Sequence, residues 1–180
     1  GKGISWGGSL IRPEATGYGV AYFTEEMLKH KKKNVKGKKV VISGSGNVAQ
    51  FATEKFIEMG AKVLTLSDSS GFIHDPAGIN KDKLKYVMQL KNEQRGRISE
   101  YEKKYPKAKF FAKDKPWKVA CDIAIPCATE NELSQSDAKI LIKNGVIAVA
   151  EGANMPCTPE AIKAFQNSKV LYAPGKASNA

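Results

Sequence analysis

A short apolar run, Lys39-Val40-Val41-Ile42-Ser43, leads without a break into Gly44-Ser45-Gly46-Asn47-Val48-Ala49, and this junction restricts the fold more than any other stretch of the chain. β-Branched residues closed off by glycine suit a strand buried on both faces. Beyond the glycines, Val48, Ala52, Phe56 and Met59 recur at helical spacing over 47–59. Strand, tight turn and helix in that order make the first half of a βαβ unit. Its glycines let the backbone turn sharply and approach a pyrophosphate, its small Ala49 lets helix press on strand, and its helix N-terminus offers free N–H groups to an anion. Glycine pairs also make ordinary turns, so the residues around the motif must carry part of the argument.

A second apolar run over 62–67 ends at Asp68. In dinucleotide folds a carboxylate about 20 residues past the glycines accepts hydrogen bonds from the adenosine ribose, and Asp68 sits near that distance. Asp68-Ser69-Ser70-Gly71 is equally good turn chemistry.

The remaining pattern alternates. Strand-like segments recur at 39–43, 62–67, 109–112, 122–125, 146–150 and 169–172, separated by helix-like stretches near 47–59, 80–104, 134–144 and 159–167, with a further helix starting near Pro13. Thr158-Pro159-Glu160 supplies an N-cap, a first-turn proline and an acidic first turn. This rhythm predicts a single α/β domain over 1–180: a Rossmann-like, doubly wound, mostly parallel sheet with helices on both faces. The connection from Asp68 to Lys118 is the least regular part. Phe72, Phe110, Phe111, Trp117 and Tyr172 fall on strand-like segments and read as packing residues.

The formal charge of +11 invites a nucleic-acid reading. Arginine, the residue of bidentate phosphate recognition, occurs only at Arg12, Arg95 and Arg97, and the excess is lysine scattered over helices or clustered at 29–39, which suits solvated faces. No nucleic-acid or membrane partner is expected, since no stretch has the length of a membrane span. Cys121, Cys127 and Cys157 are odd in number, lack CxxC spacing and suit reduced thiols in a cytoplasmic protein. His30 and His74 have no partners spaced for a metal site.

Open parallel sheets bind ligands beyond the carboxyl ends of their strands. Here the segment 122–125 runs into Pro126-Cys127-Ala128-Thr129-Glu130-Asn131, and 146–150 runs into Glu151-Gly152-Ala153-Asn154-Met155-Pro156. Asn131 and Asn154 occupy matching places in the two loops, suited to a ribose or carboxamide, although asparagine also serves its own backbone in loops.

Together with Trp6-Gly7-Gly8-Ser9, Arg12-Pro13-Glu14-Ala15-Thr16-Gly17-Tyr18-Gly19, Glu132-Leu133 and Pro174-Gly175-Lys176-Ala177-Ser178-Asn179-Ala180, these blocks run in order through the chain. It resembles the coenzyme domain of the hexameric glutamate dehydrogenases in the glutamate, leucine, phenylalanine and valine dehydrogenase family. The resemblance implies reversible NAD(P)-dependent oxidative deamination of L-glutamate to 2-oxoglutarate and ammonia. It places Thr16 and Asn47 at the nicotinamide end, Ser45 to Val48 in the Gly44/Gly46 turn at the pyrophosphate, Ala128, Thr129, Asn131 and Asn154 at the nicotinamide riboside, and Arg12 and Asn179 at the substrate cleft. The family's lysine and aspartate that handle ammonia and protons have no match here. The chain thus reads as a partial, monomeric and inactive coenzyme domain, lacking the upstream catalytic domain and a C-terminal segment, from an enzyme that is a homohexamer. The alternatives are a leucine- or phenylalanine-type dehydrogenase domain and a non-catalytic nucleotide-sensing Rossmann module.

On the coenzyme two arguments collide. A carboxylate at Asp68 favours NAD. Asp68-Ser69-Ser70 followed by Lys91 resembles NADP-preferring members, in which hydroxyls and a lysine receive the 2′-phosphate, with Arg97 as an auxiliary. NADP is the expectation, with NAD possible.

Overall fold

The structure, a computed structural model, describes residues 4–8, 10 and 12–179. Of the motif residues, Ser9, the Trp6 side chain and Ala180 lie outside that set. Seven strands form one sheet: β1 (Lys39–Ile42), β2 (Lys62–Asp68), β3 (Gly71–His74), β4 (Lys109–Ala112), β5 (Ile123–Ile125), β6 (Ala148–Ala150) and β7 (Leu171–Ala173). Their order is β4-β3-β2-β1-β5-β6-β7, parallel from β2 through β7, with β3 antiparallel to both of its neighbours. The helices are α1 (Arg12–His30), α2 (Asn47–Glu58), α3 (Lys81–Met88), α4 (Glu100–Lys104), α5 (Gln135–Lys143), α6 (Pro159–Gln166) and α7 (Gly175–Ser178). Among the described residues no helix is long and apolar enough to cross a membrane.

The two faces follow from strand alternation. Val40 and Ile42 of β1, Ile123 and Ile125 of β5, and Ala148 and Ala150 of β6 share a core with Val20 and Leu28 of α1, Ala52 and Phe56 of α2, and Leu84 and Val87 of α3. Val41, Ala124 and Val149 point the other way, into a core with Trp117, Ala138 and Leu141 of α5, and Ala161 and Phe165 of α6. Both sides of the central strands are therefore dry, which is why they read as unbroken apolar runs.

Three expectations need correction. The sequence marks Phe72 as strand-like but offers no segment spanning Gly71–His74: only Phe72 and Ile73 carry an apolar signal there, and the strand's place in the sheet comes from a tight hairpin that pairs Asp68 with Gly71. Gly71 has φ +145°, and a Cβ there would stand 2.1 Å from the Phe111 carbonyl oxygen of β4. The helix expected over 80–104 is broken. It runs as α3, widens into a π-helical turn over Gln89–Glu93, and stops where Arg95 turns to φ +52° and the Gly96 N–H bonds back to the Leu90 carbonyl at 2.8 Å. Helix resumes only at α4. Trp117 also lies on a short 3-10 turn, Pro116–Lys118, and not on a strand.

α1 crosses α2 at close range because Gly17 has no side chain: a Cβ there would lie 2.6 Å from the Ala52 nitrogen and 2.7 Å from the Phe51 Cβ. Gly17→Ala forces the two helices apart. It should lower the unfolding free energy by about 1–3 kcal/mol, read as a lower urea midpoint at unchanged m-value.

Candidate functional site

The connection from β1 crosses through α2 to β2 on one side, while β5 lies on the other, so the chain reverses its winding at the carboxyl end of β1. Loops diverge there, and a cleft of about 530 Å³ opens, lined by Gly44, Ser45, Gly46, Asp68, Ser69, Lys91, Arg97, Ala128, Thr129 and Glu132 among others.

The two glycines of the turn have different reasons to be glycine. Gly44 has φ +82°, and a Cβ there would sit 2.9 Å from the Cys127 carbonyl oxygen, so the protein itself requires it. Gly46 has φ −82°, which any residue adopts, and a Cβ there would meet no atom within 4 Å. Neither backbone nor packing asks for glycine at 46; the open space beside it suits a bound group. No side chain caps α2, whose first backbone bond runs from Gln50 N–H to the Gly46 carbonyl at 2.9 Å. An uncapped helix N-terminus behind a bare glycine fits a diphosphate.

Asp68 is committed within the protein. Its Oδ1 accepts from the Ser70 N–H (2.8 Å) and hydroxyl (2.5 Å), and its Oδ2 accepts from the Lys91 ammonium (2.9 Å) and the Ile98 N–H (2.8 Å). Burial works to raise this carboxyl, but the Ser70 hydroxyl, the Ile98 N–H, Lys91 and the Ser70 N–H outweigh it and hold the pKa down at about 2. Four donors fill the acceptor capacity of one carboxylate. Lys91 Nζ also donates to the Gly96 carbonyl at 2.9 Å, which leaves one of its three N–H bonds for another partner. Arg97 Nη1 donates to Ser69 Oγ at 2.8 Å, so Ser69, Lys91 and Arg97 meet at one rim of the cleft.

The other predicted residues form two further groups. Asn47, at the start of α2, donates from its side-chain amide to the Pro13 carbonyl, joining the Gly44–Val48 turn to the first turn of α1, which carries exposed Arg12 and partly buried Thr16. Asn179 Nδ2 donates to Asn154 Oδ1 at 3.1 Å and to the Gly152 and Ala153 carbonyls at 3.3 Å each. Asn131 takes φ +54°, and its N–H bonds the Met155 carbonyl at 3.0 Å, so the loops after β5 and β6 run side by side. Val48 borders that junction: a Cβ on Gly152 would lie 3.3 Å from Val48 Cγ1 and 2.4 Å from Cys127 Sγ. These residues lie at one end of the sheet, but Asn154 and Asn179 touch each other, and neither lines the cleft beside Gly44 and Gly46.

Two buried carboxylates escaped it. Glu132 Oε1 accepts from Ser43 Oγ (2.8 Å) and the Ala128 N–H (2.9 Å) under the cleft, and burial pushes its carboxyl up despite those bonds. Glu151 accepts from the Tyr172 hydroxyl (2.8 Å) and the Gly175 N–H (2.8 Å), tying the end of β6 to β7 and α7. Glu151 directly follows the apolar strand β6 and Glu132 lies seven residues beyond β5, so beyond their places in the motif blocks the sequence marks neither as buried. Burial raises the Cys121 thiol to about 12 and lifts Cys127 and Cys157 as well, so none is a thiolate at neutral pH. Among the described residues no three His, Cys, Asp or Glu side chains converge as metal ligands.

The family described as Glutamate/Leucine/Phenylalanine/Valine dehydrogenase matches residues 7–180. The chain is 61% identical to the glutamate dehydrogenase of Bacteroides thetaiotaomicron, across all of this chain and 40% of that protein. It is 55% identical to the NADP-specific glutamate dehydrogenase of Giardia intestinalis, across all of this chain and 41% of that protein. Further relatives at 58% and 52% identity are named NAD(P)-specific and NAD-specific. The crystal structure of Plasmodium falciparum glutamate dehydrogenase superposes with a TM-score of 0.95 at 47% identity, over 99% of this chain and 38% of that one. The chain thus spans about 40% of the length of the curated relatives it matches. A doubly wound sheet, a glycine turn at its switch point and a family match over nearly every residue show that the chain belongs to the glutamate, leucine, phenylalanine and valine dehydrogenase family.

Proposed function

We propose that this chain is the coenzyme domain of an NADP-linked glutamate dehydrogenase, which in the whole protein interconverts L-glutamate with 2-oxoglutarate and ammonia. Relatives' names include both coenzymes, so they do not choose between them. The observation that chooses is the state of Asp68. A carboxylate already bonded by four protein donors has no capacity for the two ribose hydroxyls of NAD, and Lys91 offsets its charge. Beside it stand the Ser69 hydroxyl, the remaining Lys91 N–H and the Arg97 guanidinium, which suit a 2′-phosphate.

When bound, the nicotinamide supplies or accepts the hydride. The chain's own task is to bind and orient. The N-terminus of α2 and the turn from Gly44 to Val48 hold the diphosphate, and the Glu132–Ser43 bond fixes the loop that presents Ala128 and Thr129 to the riboside. Asn131 and Asn154 hold the ribose side, Thr16 and Asn47 the carboxamide, and Arg12 and Asn179 border the glutamate cleft. Acid–base groups for ammonia belong to the rest of the whole protein, which we take to be a cytoplasmic hexamer; three buried, unpaired thiols support a reducing compartment.

Gly46→Val puts its Cβ into open space, with no protein atom within 4 Å, and its methyls into the room beside the turn. It should lower coenzyme affinity at least tenfold in calorimetry while the thermal midpoint stays within about 2 °C, since no packing is lost. Lys91→Ala should weaken NADP by about 10- to 150-fold, the worth of one charge-assisted hydrogen bond, and leave NAD unchanged or tighter; equal effects on both coenzymes overturn the NADP assignment. Asp68, held at about 2, stays ionised from pH 5 to 8 and contributes no pH dependence there. NADP affinity should therefore rise with pH through about 6, where a phosphate monoester gains its second charge, while NAD affinity stays flat.

A further inference from the structure

The turn that carries Lys91 is held in two ways. One hold is Lys91 itself, whose ammonium bonds Asp68 Oδ2 and the Gly96 carbonyl. A 2′-phosphate would take the remaining N–H of that ammonium and draw its charge away from Asp68, so this hold loosens when it is needed. The other comes from the next residue. Asn92 Oδ1 accepts from Gln50 Nε2, and Asn92 Nδ2 donates to Gln50 Oε1, both at 3.0 Å, a reciprocal pair of amides. Gln50 lies in the first turn of α2, is only 1% exposed, and donates from the same Nε2 to the Ser45 carbonyl of the phosphate turn at 2.8 Å. Both residues stand on the π-helical turn Gln89–Glu93, whose wider winding points Asn92 at α2 and its predecessor Lys91 at β2.

We propose that the Gln50–Asn92 amide pair is a positioning device for coenzyme selectivity: it fixes the Lys91 turn at a set distance from the phosphate turn, so that Lys91 meets the 2′-phosphate when the diphosphate is seated. The proposal rests on the NADP reading above and extends it to residues that touch no coenzyme. Gln50 senses the phosphate turn through the Ser45 carbonyl, and Asn92 transmits that position to its neighbour. The link does not depend on charge, so it persists when the ammonium takes on a phosphate as its third partner.

The test is a double-mutant cycle on the full chain, with dissociation constants for NADP and NAD measured by calorimetry for wild type, Asn92→Ala, Lys91→Ala and the double variant. Asn92 is exposed, so its truncation leaves the core intact. Asn92→Ala should weaken NADP three- to tenfold and move NAD by less than twofold. The double variant should bind NADP within twofold of Lys91→Ala alone, because a residue acting through Lys91 has nothing to position once Lys91 is gone. Equal weakening of both coenzymes would reduce the pair to a general structural contact. Multiplying losses in the double variant would make Asn92 a direct phosphate ligand, and no change in Asn92→Ala would remove its role; each of these overturns the proposal. If wild type shows no Lys91-dependent preference for NADP, the coenzyme reading falls as well. If that preference is present and survives Asn92→Ala, only the positioning claim falls.

Discussion

The fold turns on how the carboxyl end of β1 is closed. Parallel neighbours part there, and backbone groups that would pair in a ladder lose their partners where water is excluded, a cost that a protein must cover with side chains. Three polar side chains do so. Ser67 Oγ accepts the Gly44 N–H at 2.7 Å and the Ser67 N–H returns to the Gly44 carbonyl at 2.9 Å, binding the turn to β2. On the other side Ser43 Oγ accepts the Cys127 N–H at 2.9 Å and donates to Glu132, binding it to the loop after β5. These bonds tie the Gly44 turn to both walls of the cleft, one to β2 and the other to the loop after β5.

What the sequence made legible follows from which forces act locally. The five-strand parallel core was readable because strands dry on both faces carry an unbroken apolar signal, as in Val40, Val41 and Ile42. β3 was not, because two apolar residues after a turn are too few, and its register comes from the Asp68–Gly71 hairpin and from stacking of Phe72 on Phe111 at 4.8 Å. The interruption at 94–99 was equally silent: Lys and Glu around it favour helix, and the break is decided by Gly96 folding back on Leu90 and by Asp68 drawing in the Ile98 N–H. Propensity gave way to tertiary bonds.

The same residue explains why the site was legible only in outline. Asp68 was readable both as a ribose carboxylate and as a turn aspartate, and the structure shows its Oδ1 making the turn and its Oδ2 holding Lys91. Position along the chain identified the residue; only the count of its hydrogen-bond partners tells what capacity remains. Glu132 and Gln50 went unread for a related reason, since their importance lies in what they bridge across 89 and 42 intervening sequence steps to Ser43 and Asn92.

Gly152, Cys127 and Val48 meet so closely that the thiol occupies the very volume a methyl at 152 would need, 2.4 Å from Sγ against 3.6 Å from the Cys127 Cβ. Positions 127 and 152 are therefore not free to drift independently. A larger residue at 152 becomes tolerable only once the sulfur is trimmed to alanine, so among descendants of this chain the two sites should change as a matched set, small with large, with position 127 changing first through a cavity and the reverse order passing through a clash.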